Sequence, residues 1–293
     1  MRLPANVKMV EVGPRDGLQN ETGEVSTEVK VQLIDRLADA GLKWIEAGSF
    51  VSPKRVPQMA DTAAVLAGIS WAEGVRYGVL TPNMQGFEAA WAAGVDEVAI
   101  FAAATETFSN KNLNCSIDQS FERFHPVFEA AMTAGIPMRG YISCVLGCPY
   151  EGEVAQRLVD MGCREISLGD TIGTGTPAKA GALIEAVSRT VPIDHLAAHF
   201  HDTYGQALAN ILAVLQQGVS VIDSFVGGLG GCPYAAGATG NVASEDVLYM
   251  LNGLGNGTGV DLDALAGIGH YIYAELGRKS ASRVSLALAG QQS

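Results

Sequence analysis

The chain has 293 residues, 48% of them apolar, enough to bury one large core and too few for several ordinary domains. Its 31 acidic against 19 basic side chains leave a net charge of -12, a field that repels anions. Broad nucleic-acid binding is thereby excluded, and a phosphate-bearing partner would need a local basic cluster.

No apolar run reaches the roughly 18 residues of a membrane span, and the start at Met1-Arg2-Leu3 leads almost at once into an apolar stretch with no room for a signal peptide. The expectation is a cytoplasmic protein without membrane contact. Five cysteines, an odd number scattered along a long chain, are expected as reduced thiols. Cys144 and Cys148 have no second pair with which to build a zinc site.

Taken in chain order, short β-branched runs predict strands at 7–12, 43–47, 75–80, 95–101, 137–143, 163–168, 195–201 and 220–226. Amphipathic stretches at 27–40, 84–93, 118–134, 177–190 and 204–217 lie between them and read as helices. A glycine recurs just before strands, at Gly41, Gly94, Gly135, Gly162 and Gly218, where it reads as a helix C-cap.

Strand-helix units at this spacing predict an α/β fold, a (β/α)8 TIM barrel of one domain over about 5–253, with a C-terminal helical extension over about 254–293. The first strand-to-helix turn, Gly13-Pro14-Arg15-Asp16-Gly17, is not a dinucleotide fingerprint, which argues against an open doubly wound sheet. The Gly-rich stretch 227–240 follows the last strand and is expected to be a mobile lid.

Active sites of such barrels sit where the strands end, and the polar residues gather there: Arg15, Asp16 and Gln19, then Glu46, Asp170, the run His199-Phe200-His201-Asp202, and Asn241. Two apart on a strand, His199 and His201 face the same way, about 6.5 Å apart along it, so both can reach one ion. Asp16 and Asn241 would complete a nitrogen and oxygen shell without thiolate, which suits Mg²⁺ or Mn²⁺. Without that pair, Asp16 reads equally as a turn residue before Gly17 and Asn241 as a helix cap.

Five stretches, EVGPRDGLQNE (11–21), SFVSPKRVPQM (49–59), SLGDTIGTGTP (167–177), HFHDTYGQALAN (199–210) and GLGGCPYAAGATGNVASED (228–246), resemble the signatures of the 3-hydroxy-3-methylglutaryl-CoA lyase family. The resemblance implies a divalent cation on Asp16, His199, His201 and Asn241, with Arg15 beside the reacting oxygen. It also implies a Claisen-type cleavage of an acyl-CoA substrate to acetoacetate and acetyl-CoA, a step of leucine breakdown, in a homodimer.

Breaking the carbon-carbon bond of a tertiary alcohol requires a base for its proton, which the sequence leaves between Asp16 and His199. Cys232, on the Gly-rich loop, would protonate the enolate, while Glu46, Asp170 and Glu245 would orient the groups nearer the ion. Cations for the CoA phosphates are sought among Lys54, Arg55, Lys111, Arg278 and Lys279.

Related condensing enzymes share the HxHD strand and the Arg-Asp pair, but the Gly230–Tyr234 loop resembles the lyases. A lyase for a longer 3-hydroxy-3-alkylglutaryl-CoA, an acyl-CoA-dependent condensing acyltransferase and a binding module without activity are the other readings. The chain departs from the family between Gly152 and Met161, where about two helical turns are missing, so a stubby helix is expected before strand six.

Overall fold

Eight parallel strands close into a barrel in chain order, β8 pairing back onto β1. The strands are β1 (Lys8–Glu11), β2 (Trp44–Ser49), β3 (Arg76–Leu80), β4 (Glu97–Ala103), β5 (Met138–Ser143), β6 (Glu165–Asp170), β7 (Leu196–Phe200) and β8 (Val221–Ser224). The structure, a computed structural model, describes residues 3–146, 151–230 and 240–291.

Helices α1 (Thr27–Asp39), α2 (Thr62–Gly68), α3 (Met84–Ala92), α4 (Glu106–Leu113), α5 (Ile117–Ala134), α6 (Glu151–Met161), α7 (Pro177–Val187), α8 (Ala207–Leu215) and α9 (Ser244–Leu254) follow the strands. The C-terminal extension adds α10 (Leu262–Glu275) and α11 (Arg283–Gly290). No helix among the described residues is long and apolar enough to cross a membrane.

The helices form for local reasons that the sequence carries. In α1, Ser26 caps the first turn by accepting from Val29 N, and Leu33, Ile34 and Leu37 recur at helical spacing as a fully buried stripe. Each such side chain contributes about 1.5–3 kcal/mol by leaving water. All five glycines expected to end helices have positive φ, from +69° at Gly135 to +107° at Gly218, the region where a Cβ is penalised.

Three strand ends differ from expectation in one direction. β2, β4 and β6 run on to Ser49, Ala103 and Asp170. Their last residues, Gly48-Ser49, Ala102-Ala103 and Gly169-Asp170, read as turn chemistry because they are small or polar, yet they are buried at the barrel mouth. Helix α6, expected to be stubby, has 11 residues. Helix α8 starts only at Ala207, whose N–H is accepted by Asp202 Oδ1 at 2.9 Å.

The C-terminal extension is fastened to both ends of the barrel wall. Asp261 N donates to Ala40 O at 2.8 Å, beside Gly41. Tyr273 on α10 packs against Gly227 after β8, and Ala281 N donates to Gly227 O at 3.0 Å.

Gly41 combines φ +100° with a Cβ position only 2.3 Å from the Gly259 carbonyl oxygen. Gly41→Ala is therefore expected to lose roughly 1–3 kcal/mol of stability, read as a lower urea midpoint. An unchanged midpoint would show that the extension does not press on this turn.

Candidate active site

The site begins with a turn that sequence periodicity does not describe. Gly13–Gly17 forms a single π-helical turn in which Val12 O accepts from the N–H groups of Arg15, Asp16 and Gly17 at 3.2, 2.8 and 3.3 Å. Its tightness carries Arg15 and Asp16 over the end of β1. A Cβ on Gly17 would lie 2.8 Å from Leu229 Cβ, so the close approach to the β8 loop needs glycine.

Asp16, His199 and His201 converge, with one ligand atom from each lying within 4.8 Å of the others. His199 Nε2 stands 3.4 Å from Asp16 Oδ2, and its Nδ1 stands 3.0 Å from Asp223 Oδ2. His201 Nδ1 bonds the Thr171 carbonyl, which requires the N–H there and leaves Nε2 as the free lone pair. Asn241 is paired with His201 in an isolated antiparallel bridge. Its Nδ2 donates to Leu229 O at 2.9 Å, while its buried Oδ1 accepts no hydrogen bond.

A divalent cation fits this donor set. A buried carbonyl oxygen with no partner is costly unless something takes its lone pair, and the carboxylate and two imidazoles beside it supply oxygen and nitrogen without sulfur. Asn241 is not the cap of α9, whose N-cap is Ala243.

The charges are strongly set. Burial alone would raise the Asp16 carboxyl, but Arg15, then His199, hold it well below the usual carboxylate range. Burial would likewise lower His199, yet its bonds to Asp16 and Asp223 push it up to about 9. His201, penalised by burial and then by the charge on His199, falls to about 4 and stays neutral. Arg15 donates from Nε to Glu46 Oε2 at 2.5 Å and from Nη1 to Asp16 Oδ1 at 2.7 Å, and Gln19 Nε2 adds a bond to Asp16 Oδ1 at 2.6 Å.

The other predicted carboxylates lie elsewhere. Asp170 Oδ2 accepts Gly175 N at 2.8 Å and so closes the turn after β6. Glu245 grips Gly227 N with both oxygens, at 3.0 and 2.8 Å, and accepts Ser285 Oγ at 3.2 Å. Both do backbone work around the mouth and do not reach the cluster's side chains through the bonds described.

A cavity of about 460 Å³ opens from the cluster, walled by Val51, Leu80, Phe101, Phe108 and Ile142 and reached by Arg15 and Arg55. Of the cations expected to meet CoA, only Arg55 lines it. Lys54, Lys111 and Lys279 are exposed and outside its lining, and Arg278 pairs with Glu21 while stacking 4.8 Å over Tyr273. Cys232 and the lid residues 231–239 lie outside the described residues; Gly227 and Gly228, at the start of the expected lid, are buried.

Three participants went unnamed in the sequence reading. Glu11 Oε1 accepts Gly13 N and Val226 N at 2.8 and 2.9 Å and Oε2 accepts Ser244 Oγ at 2.6 Å, joining the turns after β1 and β8; its burial pushes the carboxyl up to about 7. Asp223 and Arg139 form the floor under His199, with Arg139 Nη2 donating to Asp223 Oδ1 at 2.6 Å. The available signal was a charged residue inside each apolar strand, at Asp223 within VIDS and Arg139 within MRGYIS.

Known proteins share both sequence and shape. The chain is 60% identical to the mitochondrial hydroxymethylglutaryl-CoA lyase of Gallus gallus, over 97% of this chain and 98% of that one. It is also 60% identical to the 3-hydroxy-3-isohexenylglutaryl-CoA/hydroxy-methylglutaryl-CoA lyase of Pseudomonas aeruginosa, over 98% and 99% respectively. A crystal structure of the Pseudomonas aeruginosa hydroxymethylglutaryl-CoA lyase superposes with a TM-score of 0.96, covering 99% of this chain and 100% of that one at 59% identity. An HMG-CoA lyase from Acinetobacter baumannii, solved with coenzyme A and 3-methylmalate, superposes with a TM-score of 0.90 at 35% identity over 97% of this chain and 95% of that one. With the HMGL-like family matching residues 6–272 as well, the chain belongs to the HMGL-like family.

Proposed function

We propose that this protein cleaves 3-hydroxy-3-methylglutaryl-CoA to acetoacetate and acetyl-CoA, with Mg²⁺ or Mn²⁺ held by Asp16, His199, His201 and Asn241. The observation that carries the reading is the convergence of Asp16, His199 and His201 beside the unpartnered Asn241 Oδ1. Bound there, the cation would supply Lewis-acid polarisation of the substrate's oxygens.

The protein's own groups account for the rest. His199 Nε2 and Asp16 Oδ2, 3.4 Å apart, stand where the hydroxyl proton goes. With His199 Nε2 given to the cation, Asp16 is the group left to take it, and Arg15 and His199 hold that carboxyl so far below the usual carboxylate range that it gives the proton up again to water. Arg15 stays charged and, fixed by Glu46 and Asp16, offers its remaining N–H groups to the oxyanion that forms as the bond breaks. The apolar wall of Val51, Leu80, Phe101 and Ile142 keeps water from the enolate. Cys232, on the segment after β8, is proposed to deliver the proton that turns the enolate into acetyl-CoA.

Arg55 is the cation best placed for the CoA moiety, since it lines the cavity. Cytoplasmic location is proposed with the activity, supported among the described residues by the buried free thiols of Cys115 and Cys163. A homodimer is proposed too, to be read by sedimentation.

Pure protein given Mg²⁺ and 3-hydroxy-3-methylglutaryl-CoA is expected to release acetoacetate, and Cys232→Ala to keep metal while losing most turnover. Absence of acetoacetate with metal bound would sink the proposed activity, and full turnover in Cys232→Ala would remove that thiol from it. His201→Ala is expected to weaken Mn²⁺ binding at least tenfold in titration calorimetry. Wild-type affinity in that variant would overturn the ligand set.

Metal binding also has a pH sign. His199 carries a proton below about pH 9 that must leave before Nε2 can bind a cation, so Mn²⁺ affinity should rise with pH through neutrality and level off above that value. His201, at about 4, is already neutral and adds no slope there. Calorimetry in two buffers of different ionisation enthalpy should report about one proton released per ion at pH 7; release of none would contradict the assignment.

A further inference from the structure

We propose that Asp223 is a positioning residue for the reaction: it holds the proton of His199 on Nδ1 and so aims Nε2 at Asp16 and the cation, while Arg139 keeps Asp223 a carboxylate. The inference rests on the metal reading above and concerns how the site is held rather than which acyl group it cleaves.

The geometry leaves Asp223 little choice of role. It is fully buried on β8, in register with His199 on the neighbouring strand, so both side chains enter the barrel at one level. Its Oδ2 lies 3.0 Å from His199 Nδ1 and accepts Ser167 Oγ at 2.7 Å, and its Oδ1 accepts Arg139 Nη2 at 2.6 Å. An imidazole has one lone pair to give. A carboxylate fixed at Nδ1 accepts a proton there and cannot donate one, which leaves Nε2 as the only nitrogen free for a cation.

Arg139 is what makes the carboxylate permanent. Its guanidinium is 2% exposed, donates Nη1 to Tyr141 Oη at 2.8 Å, and has Nε 2.8 Å from Glu165 Oε1. Glu165 in turn accepts Lys8 Nζ at 2.7 Å. A buried guanidinium needs a buried anion, so protonating Asp223 would strand Arg139. The ring is also held from the sides, with Tyr141 and Phe225 meeting it edge-on at 5.9 and 5.3 Å. Asp223 therefore decides the rotation that these apolar edges leave open.

The test uses the whole protein. In histidine-¹⁵N-labelled wild type, loaded with Mg²⁺, His199 is expected to show a protonated, downfield-shifted Nδ1 and an unprotonated Nε2, its signals assigned by their loss in His199→Asn. An Nε2-protonated His199 would overturn the proposal whatever any variant does. Asp223→Asn, which keeps the shape, is expected to lower Mn²⁺ affinity by about 10–100-fold and to lower kcat while KM for the acyl-CoA stays near wild type. Excess Mn²⁺ should restore part of kcat, which loss of folding would not allow.

Wild-type Mn²⁺ affinity and tautomer in a folded Asp223→Asn protein would refute the role. Should that variant fail to fold, the wild-type spectrum alone decides. Neither readout needs turnover of 3-hydroxy-3-methylglutaryl-CoA, so a wrong substrate would leave both intact and show itself only in the acetoacetate assay.

Discussion

Everything at the mouth of this barrel depends on a row of buried and half-buried charges that alternate in sign. From Glu46 the order is Arg15, Asp16, His199 as imidazolium, Asp223, Arg139, Glu165 and Lys8, with successive contacts of 2.5, 2.7, 3.4, 3.0, 2.6, 2.8 and 2.7 Å. A lone ion in such an interior would cost several kcal/mol, and each here is offset by a neighbour of opposite sign, on both sides for all but the end members Glu46 and Lys8. The row also crosses the barrel from its mouth to the far end at Lys8, so the polar interior forms one connected unit rather than a site set on an inert floor.

The weak link in that row is the longest contact, between His199 and Asp16. Every other joint involves an arginine or a carboxylate held low by one, except the end pair of Glu165 and Lys8, while His199 owes its charge to a proton that leaves near pH 9. Asp16, His199 and His201 could hold a divalent cation in place of that proton, which would preserve the alternation. Binding of the ion and loss of the His199 proton are in this sense a single event.

Much of this was legible from residues alone, for stated reasons. The strand-helix alternation and the five glycines before strands gave the barrel, because period-2 and period-3.6 patterns and positive φ leave marks in composition. His199 and His201 were legible because a two-residue spacing on a strand fixes a shared face. Asp223 and Arg139 were not, since a charge inside an apolar strand could equally mark a sheet edge; only barrel closure brings β5 and β8 across from one another, and their pairing joins residues 84 positions apart. Asp170 and Glu245 illustrate the opposite case, as proximity to the site in sequence suggested side-chain partners and the chain uses both as backbone acceptors at sharp turns.

Those backbone acceptors explain why helices beyond the barrel matter to its chemistry. Glu11 ties the turn bearing Arg15 and Asp16 to Val226 and Ser244, and Glu245 ties Gly227 to Ser285 on α11. With Tyr273 lying against Gly227 and Ala281 bonded to it, the loop after β8 is held from outside by the extension and from inside by two buried carboxyls. Burial pushes those carboxyls up, to about 7 in Glu11 and about 8 in Glu245, so near neutral pH each accepts backbone hydrogen bonds at a site that resists its charge. The fold tolerates that cost at the point where strands one and eight meet, where Asp16 from one and Asn241 from beyond the other would hold the proposed ion together.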